Sequence, residues 1–236
     1  MIDIQQLIQA DQHLLLQLNG SDSLFWDGVM WTVSDTKTWI PAAVVLLYVI
    51  FKNCKLSQGM LVLLTLAVVV LCADQFSSGL CKNYFMRFRP SQEPALTDLV
   101  QVVNGYRGGA YGFISSHAAN TFAIAVFVSL LIRNGWLAFT MLFWALVPSF
   151  SRIYLGVHYP GDIIFGALAG SVIAIIGYVI FLFLQKKLFR NPQYISSQYT
   201  GSGFKTSDVC MIQSALLLSF IYVIVAGMMV ARNSFF

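Results

Sequence analysis

The sequence predicts an all-α membrane protein: a polytopic membrane helix bundle with six transmembrane helices, preceded by an N-terminal amphipathic helix at the membrane interface. Of its 236 residues, 58% are hydrophobic and only 10% are charged. The mean hydropathy is +0.73, and several apolar runs reach the ~20 residues that cross a bilayer as a helix. This combination excludes an ordinary soluble globular domain.

The first element is predicted over residues 4–18, IQQLIQADQHLLLQL, where apolar residues recur near helical spacing. Such a helix can lie on the membrane surface with its apolar side among the lipid headgroups. It can equally pack against its own bundle, and the pattern favours neither arrangement.

Six apolar stretches follow and are predicted to be the spans: 38–52, 57–80, 117–133, 136–153, 162–185 and 211–231. The first is the shortest, and its helix can begin upstream near Trp31. In the fifth, the sequence GALAG gives Gly166 and Gly170 the spacing of a close helix contact. Residues 191–208 are polar and rich in serine and glycine, so we predict a loop there.

Basic residues predict the orientation of these spans. They gather in the links between spans one and two, three and four, and five and six: Lys52, Lys55, Arg133, Lys186, Lys187, Arg190 and Lys205. By the positive-inside rule these links are cytoplasmic, which places both termini, the 81–116 loop and the 154–161 link outside. The outer loop is an exception that needs a cause, since it carries Lys82, Arg87, Arg89 and Arg107.

Three polar clusters lie at the predicted outer ends of the spans: 82–90 (KNYFMRFRP), 115–117 (SSH) and 151–162 (SRIYLGVHYPGD). Charged side chains near hydrocarbon are costly unless they pair or act, so the clusters are candidates for a functional site. The candidate residues are Lys82, Arg89, Ser115, Ser116, His117, Arg152, His158 and Asp162.

The basic members of these clusters predict an anion site. Lys82, Arg89 and Arg152 supply fixed positive charge, and the arginine fork matches phosphate oxygens. Ser115 and Ser116 stand where a helix begins, so their hydroxyls can cap it while its free N–H groups favour an anion. The expected ligand is therefore a phosphate group.

The histidines predict catalysis. His158 and Asp162 are four residues apart across a Pro-Gly turn that can bring the carboxylate to one imidazole nitrogen. The other nitrogen then offers its lone pair to an electrophile. His117, on a different span, is free to protonate a leaving oxygen.

These clusters resemble the signature of the type 2 phosphatidic acid phosphatases, a superfamily shared with vanadium haloperoxidases and bacterial acid phosphatases. The first motif, K-x6-R-P, starts at Lys82, and the third, S-R-x5-H-x3-D, ends at Asp162; both are complete. The middle motif, P-S-G-H, departs at two positions, where Ile114 replaces the proline and Ser116 the glycine. We expect activity to survive this change with an altered pocket shape.

The resemblance implies a metal-independent lipid phosphatase without a cofactor, working through a phosphohistidine. His158 would attack phosphorus, Asp162 would orient it, and His117 would protonate the leaving group and then activate water. The phosphate would be held by Lys82, Arg89, Ser115, Ser116 and Arg152. The alternatives are a lipid phosphotransferase that uses the same intermediate and a non-catalytic lipid-binding or transport protein.

The resemblance also implies a multi-pass protein of the bacterial inner membrane, with its active site facing the periplasm or exterior. Undecaprenyl diphosphate and lipid A phosphate rank nearly level as substrates, ahead of phosphatidylglycerol phosphate. Bilayer lipids are the other expected partners, and no nucleic acid is expected. Residues 1–236 are expected to form one domain, with the interfacial helix in 1–20, the motifs in 81–162 and the last span in 211–231.

Three further charged residues have no motif position. For Arg87 and Arg107 the favoured interpretation is anchoring at the membrane interface. Asp74, within the second span, either pairs with an arginine of the site or bonds to a neighbouring helix, and the two interpretations are equally weighted.

Overall fold

The computed structural model describes residues 4–189 and 198–233, the last two without their side chains. Within these residues the chain is helical, and the only extended pairings are isolated bridges of Phe88 with Tyr111 and of Tyr199 with Lys205. The predicted all-α class is therefore confirmed. The helices are α1 (Ile4–Leu18), α2 (Leu24–Ser34), α3 (Ile40–Asn53), α4 (Leu56–Asp74), α5 (Lys82–Phe85), α6 (Ser116–Ile132), α7 (Gly135–Tyr154), α8 (Pro160–Leu188) and α9 (Thr206–Asn233).

Within the described residues, four helical segments are long and apolar enough to cross a membrane: Leu56–Phe85, Gly135–Tyr154, Pro160–Leu188 and Thr206–Ala231. The first of these is continuous because a π-helical segment, Gln75–Cys81, joins α4 to α5. A fifth candidate is the pair of α2 and Thr36–Asn53, which is bent by 69° at its break. The first predicted span thus has a helical partner upstream, which includes Trp31.

The third predicted span, 117–133, corresponds to α6. This helix is apolar, but its 17 residues extend only ~25 Å, less than the ~30 Å hydrocarbon core. The described residues therefore contain four to five candidate spans, and the six-span arrangement stays a prediction. Of the predicted 191–208 loop, residues 191–197 lie outside the described residues, and α9 already begins at Thr206.

Helix α1 packs against the bundle through its C-terminal half. Leu15 is fully buried, in a cluster that includes Ile153 and Tyr159. Asn19, just beyond the helix, donates a hydrogen bond to the carbonyl of Tyr154 at 2.8 Å. The first turns instead expose apolar side chains such as Ile4. Packing on the bundle is therefore observed, and an interfacial position for the exposed part stays a prediction.

The close contact of α6 with α8 aligns the starts of these two helices. Glycine is required on α8, since a Cβ at Gly166 would lie 2.5 Å from the carbonyl oxygen of Ser115 and one at Gly170 would overlap the carbonyl of Ala119. The GALAG spacing is thus used for a helix contact. At the top of this contact, the Ser115 N–H donates to the backbone carbonyl of Asp162 at 3.0 Å.

The opposite end of the bundle is closed by a separate polar cluster. Lys52, at the end of α3, forms an ion pair of 2.8 Å with Asp208, at the start of α9. Asn53 also donates to Asp208 at 3.1 Å, and the Ser202 hydroxyl donates to the carbonyl of Ile132. These residues lie at the helix ends that the basic links predict to be cytoplasmic, remote from the candidate site.

Candidate active site

His158 and Asp162 meet at the turn between α7 and α8. Tyr159 is the N-cap of α8, Pro160 occupies its first turn, and Asp162 is the third helical residue. The Asp162 Oδ2 atom therefore accepts the Tyr159 N–H at 3.0 Å. The same oxygen lies 3.3 Å from His158 Nδ1. Helix capping thus holds the carboxylate against the imidazole.

The tautomer of His158 follows from its second neighbour. Its Nε2 atom lies 3.2 Å from Nη1 of Arg89. Arginine has only N–H donors, so Nε2 must accept, and the imidazole proton must sit on Nδ1, facing the Asp162 carboxylate. The geometry therefore leaves the Nε2 lone pair directed toward the positive charges of the site.

The electrostatics of the turn keep this imidazole neutral. His158 is only 1% exposed, and burial lowers its pKa well below the usual value because the charged form would lose its hydration. The positive charges of Arg89, Arg152 and Lys82 lower this pKa further. The side chain is thus held in the form that can act as a nucleophile.

Three cations converge on this imidazole. Lys82 and Arg89 come from the segment around α5, and Arg152 lies in the last turn of α7. Among the residues that the structure describes, no carboxylate lies within ion-pair distance of any of the three. The Arg152 Nε atom is buried and has no hydrogen-bond partner in the described part of the chain. Uncompensated positive charge of this kind favours an anionic ligand.

The remaining bonds of Arg152 involve residues that sequence analysis did not connect with it. One N–H group donates to the hydroxyl of Ser34, at the end of α2, and another donates to the hydroxyl of Tyr106 at 3.2 Å. The Tyr106 ring packs edge-on against Trp31. No spacing pattern relates these residues to Arg152, because they come from separate elements of the fold.

The SSH cluster forms the start of α6. Ser115 is its N-cap, and its hydroxyl accepts the Ala118 N–H at 3.4 Å. Ser116 occupies the glycine position of the family motif, and its hydroxyl accepts a hydrogen bond from Lys82 Nζ at 3.0 Å. The departure from glycine thus gives Lys82 a fixed partner.

His117 borders both the cations and an apolar cavity. It is close enough to Arg152, His158 and Lys82 to interact with them electrostatically. It also lines a cavity of about 380 Å³ inside the bundle, within the range of ~300–1,000 Å³ typical of ligand sites. The other lining residues are mainly apolar, including Val33, Trp39, Leu46, Ile124, Met141 and Leu216.

Arg87 belongs to the site, although sequence analysis favoured an interfacial anchor. Its Nη1 donates to Asp162 Oδ1 at 3.1 Å, and its Nη2 donates to Asp11 of α1 at 2.8 Å. The spacing of Arg87 and Arg89 could have predicted this position. The two residues are two apart in an extended segment that pairs with residues 110–112, so their side chains share one face. The intervening Phe88 is exposed.

Arg107 and Asp74 lie outside the cluster of site residues. Arg107 donates to the carbonyl of Ser91 at 2.8 Å and so closes the outer loop on itself. Asp74 accepts a hydrogen bond from Asn120 of α6 at 3.3 Å. Of the two interpretations of Asp74, the contact with a neighbouring helix is the one observed.

The fold and the site together define a class: a multi-pass helical membrane protein with a buried histidine–aspartate pair close to cations that have no ion-pair partner among the described residues. The model of the PAP2 superfamily matches residues 58–186, more than half of the chain. The protein therefore belongs to the PAP2 superfamily, as its motifs predicted.

Curated relatives extend this similarity over most of the chain. A lipid A 4'-phosphatase of Bacteroides thetaiotaomicron is 37% identical over 216 residues, which cover 91% of this chain and 94% of the relative. A lipid A 4'-phosphatase of Porphyromonas gingivalis is 32% identical, covering 89% of each chain. An undecaprenyl-diphosphatase of Bacillus subtilis is 33% identical over 109 residues, covering 45% of this chain and 52% of the relative. No solved structure matches the chain.

Proposed function

We propose that the protein is a lipid phosphatase that removes a phosphate group from lipid A through a phosphohistidine intermediate. The observation that carries this proposal is the buried His158–Asp162 pair, whose Nε2 atom accepts from Arg89 and lies near two further cations, Arg152 and Lys82, all three without an ion-pair partner among the described residues. Lipid A ranks above undecaprenyl diphosphate because both relatives named for lipid A match about nine tenths of the chain, whereas the relative named for the diphosphate matches 45%.

In the first chemical step, the Nε2 lone pair of His158 attacks phosphorus as the bond from phosphorus to the lipid oxygen breaks. Arg89 must release Nε2 for this attack, and its N–H groups then bind phosphoryl oxygens together with Lys82 and Arg152. His117 donates a proton to the departing lipid oxygen. Asp162 holds the Nδ1 proton and stabilises the positive charge that forms on the ring.

In the second step, water attacks the phosphohistidine. His117, now unprotonated, accepts a proton from this water as the bond from phosphorus to Nε2 breaks. Inorganic phosphate leaves and His158 returns to its neutral tautomer. Ser115 and Ser116, with the first N–H groups of α6, assist the cations in holding the phosphoryl oxygens during both steps.

The location of the substrate follows from the same features. A phosphate bound near the starts of α6 and α8 sits at headgroup depth, and the apolar cavity beside His117 offers room for part of a lipid chain. We place this end of a six-span bundle at the periplasmic face of the bacterial inner membrane, because the opposite end carries the basic links. The whole chain, 1–236, acts as one catalytic domain.

The direct test is phosphate release by the purified protein in detergent with a chelator present, using lipid A, undecaprenyl diphosphate, phosphatidylglycerol phosphate and phosphatidic acid. We expect the fastest release from lipid A. Faster release from undecaprenyl diphosphate would overturn the substrate assignment. Product formation that requires an added acceptor lipid would identify a phosphotransferase instead.

Replacing His117 by alanine should slow hydrolysis of lipid substrates by about 10²–10⁴-fold, the usual contribution of general acid catalysis. Hydrolysis of an activated aryl phosphate should slow much less, because a good leaving group needs no proton. The measurement is kcat on both substrates, with His13→Ala as the control because His13 is an exposed histidine of α1. Equal losses on both substrates would contradict the general acid role.

Vanadate should inhibit the protein, and a chelator should leave its activity unchanged. Vanadate adopts the trigonal bipyramidal geometry of phosphorus under attack and can bind Nε2 of His158 amid the cations. The same cations disfavour a divalent metal ion at this position. The measurement is phosphate release across concentrations of each reagent, and inhibition by the chelator that zinc or magnesium restores would contradict the mechanism.

A further inference from the structure

Beyond the motif residues, an ion pair between Asp11 of α1 and Arg87 of the outer loop borders the site. Asp11 of α1 and Arg87 of the outer loop are both partly buried, with side chains 15% and 25% exposed. Arg87 links the α1 carboxylate to the Asp162 carboxylate, with N–O distances of 2.8 and 3.1 Å. Arg87 binds Asp162 Oδ1, whereas His158 lies against the other carboxylate oxygen, Oδ2.

The contacts of the two Asp162 oxygens show how the Asp11–Arg87 ion pair can fix the position of this carboxylate. Its Oδ2 atom is occupied by His158 Nδ1 and by the Tyr159 N–H. Its Oδ1 atom binds one charged residue of the described chain, Arg87. A carboxylate held at both oxygens cannot rotate away from the imidazole, and the guanidinium also supplies a counter-charge in a site that water barely reaches.

Three contacts fix Arg87 in addition to its bond with Asp162. Its guanidinium carbon lies 3.8 Å from the centroid of the Tyr159 ring, and its guanidinium also binds Asp11. Its backbone carbonyl accepts the Gly112 N–H at 2.9 Å. Since Tyr159 precedes α8 and Asp11 lies on α1, the position of the guanidinium depends on how these two helices pack.

Asp11 also binds α8 directly. Its Oδ1 atom accepts the Gly161 N–H at 2.8 Å, one of the free donors in the first turn of α8. A Cβ on Gly161 would lie 2.8 Å from Asp11 Oδ2, so a side chain at this position would displace the Asp11 carboxylate. The glycine of the His-Tyr-Pro-Gly-Asp turn therefore makes room for the α1 carboxylate.

We infer that Arg87 is a positioning residue for the catalytic aspartate and that α1, through Asp11, is part of the active site. This inference rests on the proposed function, because it assigns Arg87 a role through Asp162 and His158. Arg87 orients Asp162, Asp162 orients His158, and Asp11 holds Arg87 in place. Neither Arg87 nor Asp11 contacts the substrate.

The test measures kcat and KM for lipid A phosphate release by Arg87→Gln, Arg87→Lys, Asp11→Asn and the Arg87→Gln/Asp11→Asn double variant. We expect Arg87→Gln to lower kcat by about 10²-fold, as misplaced catalytic groups do, with KM and vanadate inhibition changed less than about twofold. Arg87→Lys should recover part of kcat. The double variant should be no slower than Arg87→Gln alone, because Asp11 acts through Arg87.

Matched controls remove a charge of the same sign at residues that do not contact Asp11, Arg87 or Asp162. Arg107→Gln neutralises an arginine of the same outer loop, and Asp22→Asn neutralises an exposed acid near α1; both should keep wild-type kcat. Thermal unfolding in detergent identifies any variant that fails to fold, and Arg87→Lys is then the informative substitution.

Four results would overturn the inference. A rise in KM with unchanged kcat would mean that Arg87 binds substrate, and additive losses in the double variant would mean that Asp11 acts independently of Arg87. Wild-type kcat in Arg87→Gln, beside an inactive His158→Ala protein, would refute the positioning role and leave the proposed function intact. A wild-type protein that releases no phosphate from any lipid would refute both.

Discussion

Replacing His158 by alanine is expected to lower phosphate release by about 10⁴-fold or more, as the loss of a nucleophile does in covalent catalysis. Neither the cations nor His117 can replace it, because the cations are donors only and His117 belongs to α6, not to the turn that holds Asp162 against the imidazole. The substrate should still bind, since Lys82, Arg89 and Arg152 remain. The measurement is kcat for lipid A with KM in parallel, and His13→Ala is the matched control.

A second measurement on the same variant tests the intermediate. The wild-type protein, quenched in alkali during turnover of a phosphate-labelled lipid, should retain label that is released by acid, and His158→Ala should retain none. Label that persists in the variant, or activity within about tenfold of wild type, would assign the nucleophile to another residue. His117→Ala should retain label longest, because the water that hydrolyses the intermediate would lack its base.

Replacing Asp162 by asparagine is expected to lower kcat by about 10³–10⁴-fold, comparable to the loss when an aspartate that orients a catalytic histidine becomes an amide. The amide can donate to Nδ1 of His158, which would move the imidazole proton to Nε2 and remove the attacking lone pair. The amide also leaves Arg87 without its buried counter-charge. Asp98→Asn, at an exposed acid of the outer loop, is the matched control.

The two consequences of this substitution can be separated. A tautomer effect lowers kcat at all temperatures, whereas loss of the ion pair with Arg87 also lowers the thermal unfolding temperature. Combining Asp162→Asn with Arg87→Gln should recover part of the unfolding temperature without recovering kcat. Near wild-type kcat in Asp162→Asn would show that the carboxylate does not select the tautomer of His158.

Much of the architecture could be predicted because membrane helices follow simple composition rules. The predicted spans 136–153 and 162–185 fall within α7 and α8, since a helix must satisfy its own backbone in hydrocarbon. The first span was harder to predict, because its bend at Asp35 depends on packing. Whether α6 crosses the membrane could not be predicted either, since apolar composition does not distinguish a 17-residue helix inside the bundle from a helix that spans the bilayer.

The motif spacing also predicted the local geometry of the His158–Asp162 turn. An aspartate at the third position of a helix that begins with proline caps that helix, and this places its carboxylate over the preceding turn. The same local reasoning identifies Ser115 as a helix cap. Local chain geometry determines contacts of this kind over three or four residues.

Contacts between distant elements could not be predicted in this way. Arg87 carried no motif position, and its partners Asp11 and Asp162 lie 76 and 75 residues away along the chain. Ser34 binds Arg152 across 118 residues. A spacing rule covers one helix or one turn, whereas these pairs depend on which elements pack together.

The sequence by itself determined the helical membrane class, the family motifs and the residues that carry positive charge, because each depends on composition or on short spacing. Only the tertiary structure decided that Arg89 faces Nε2 of His158, that Lys82 binds the hydroxyl of Ser116 and that α1 reaches Asp162 through Arg87. The physical reason is that direction and distance between side chains on different helices arise from packing, which α6 and α8 set through their glycine and alanine contact.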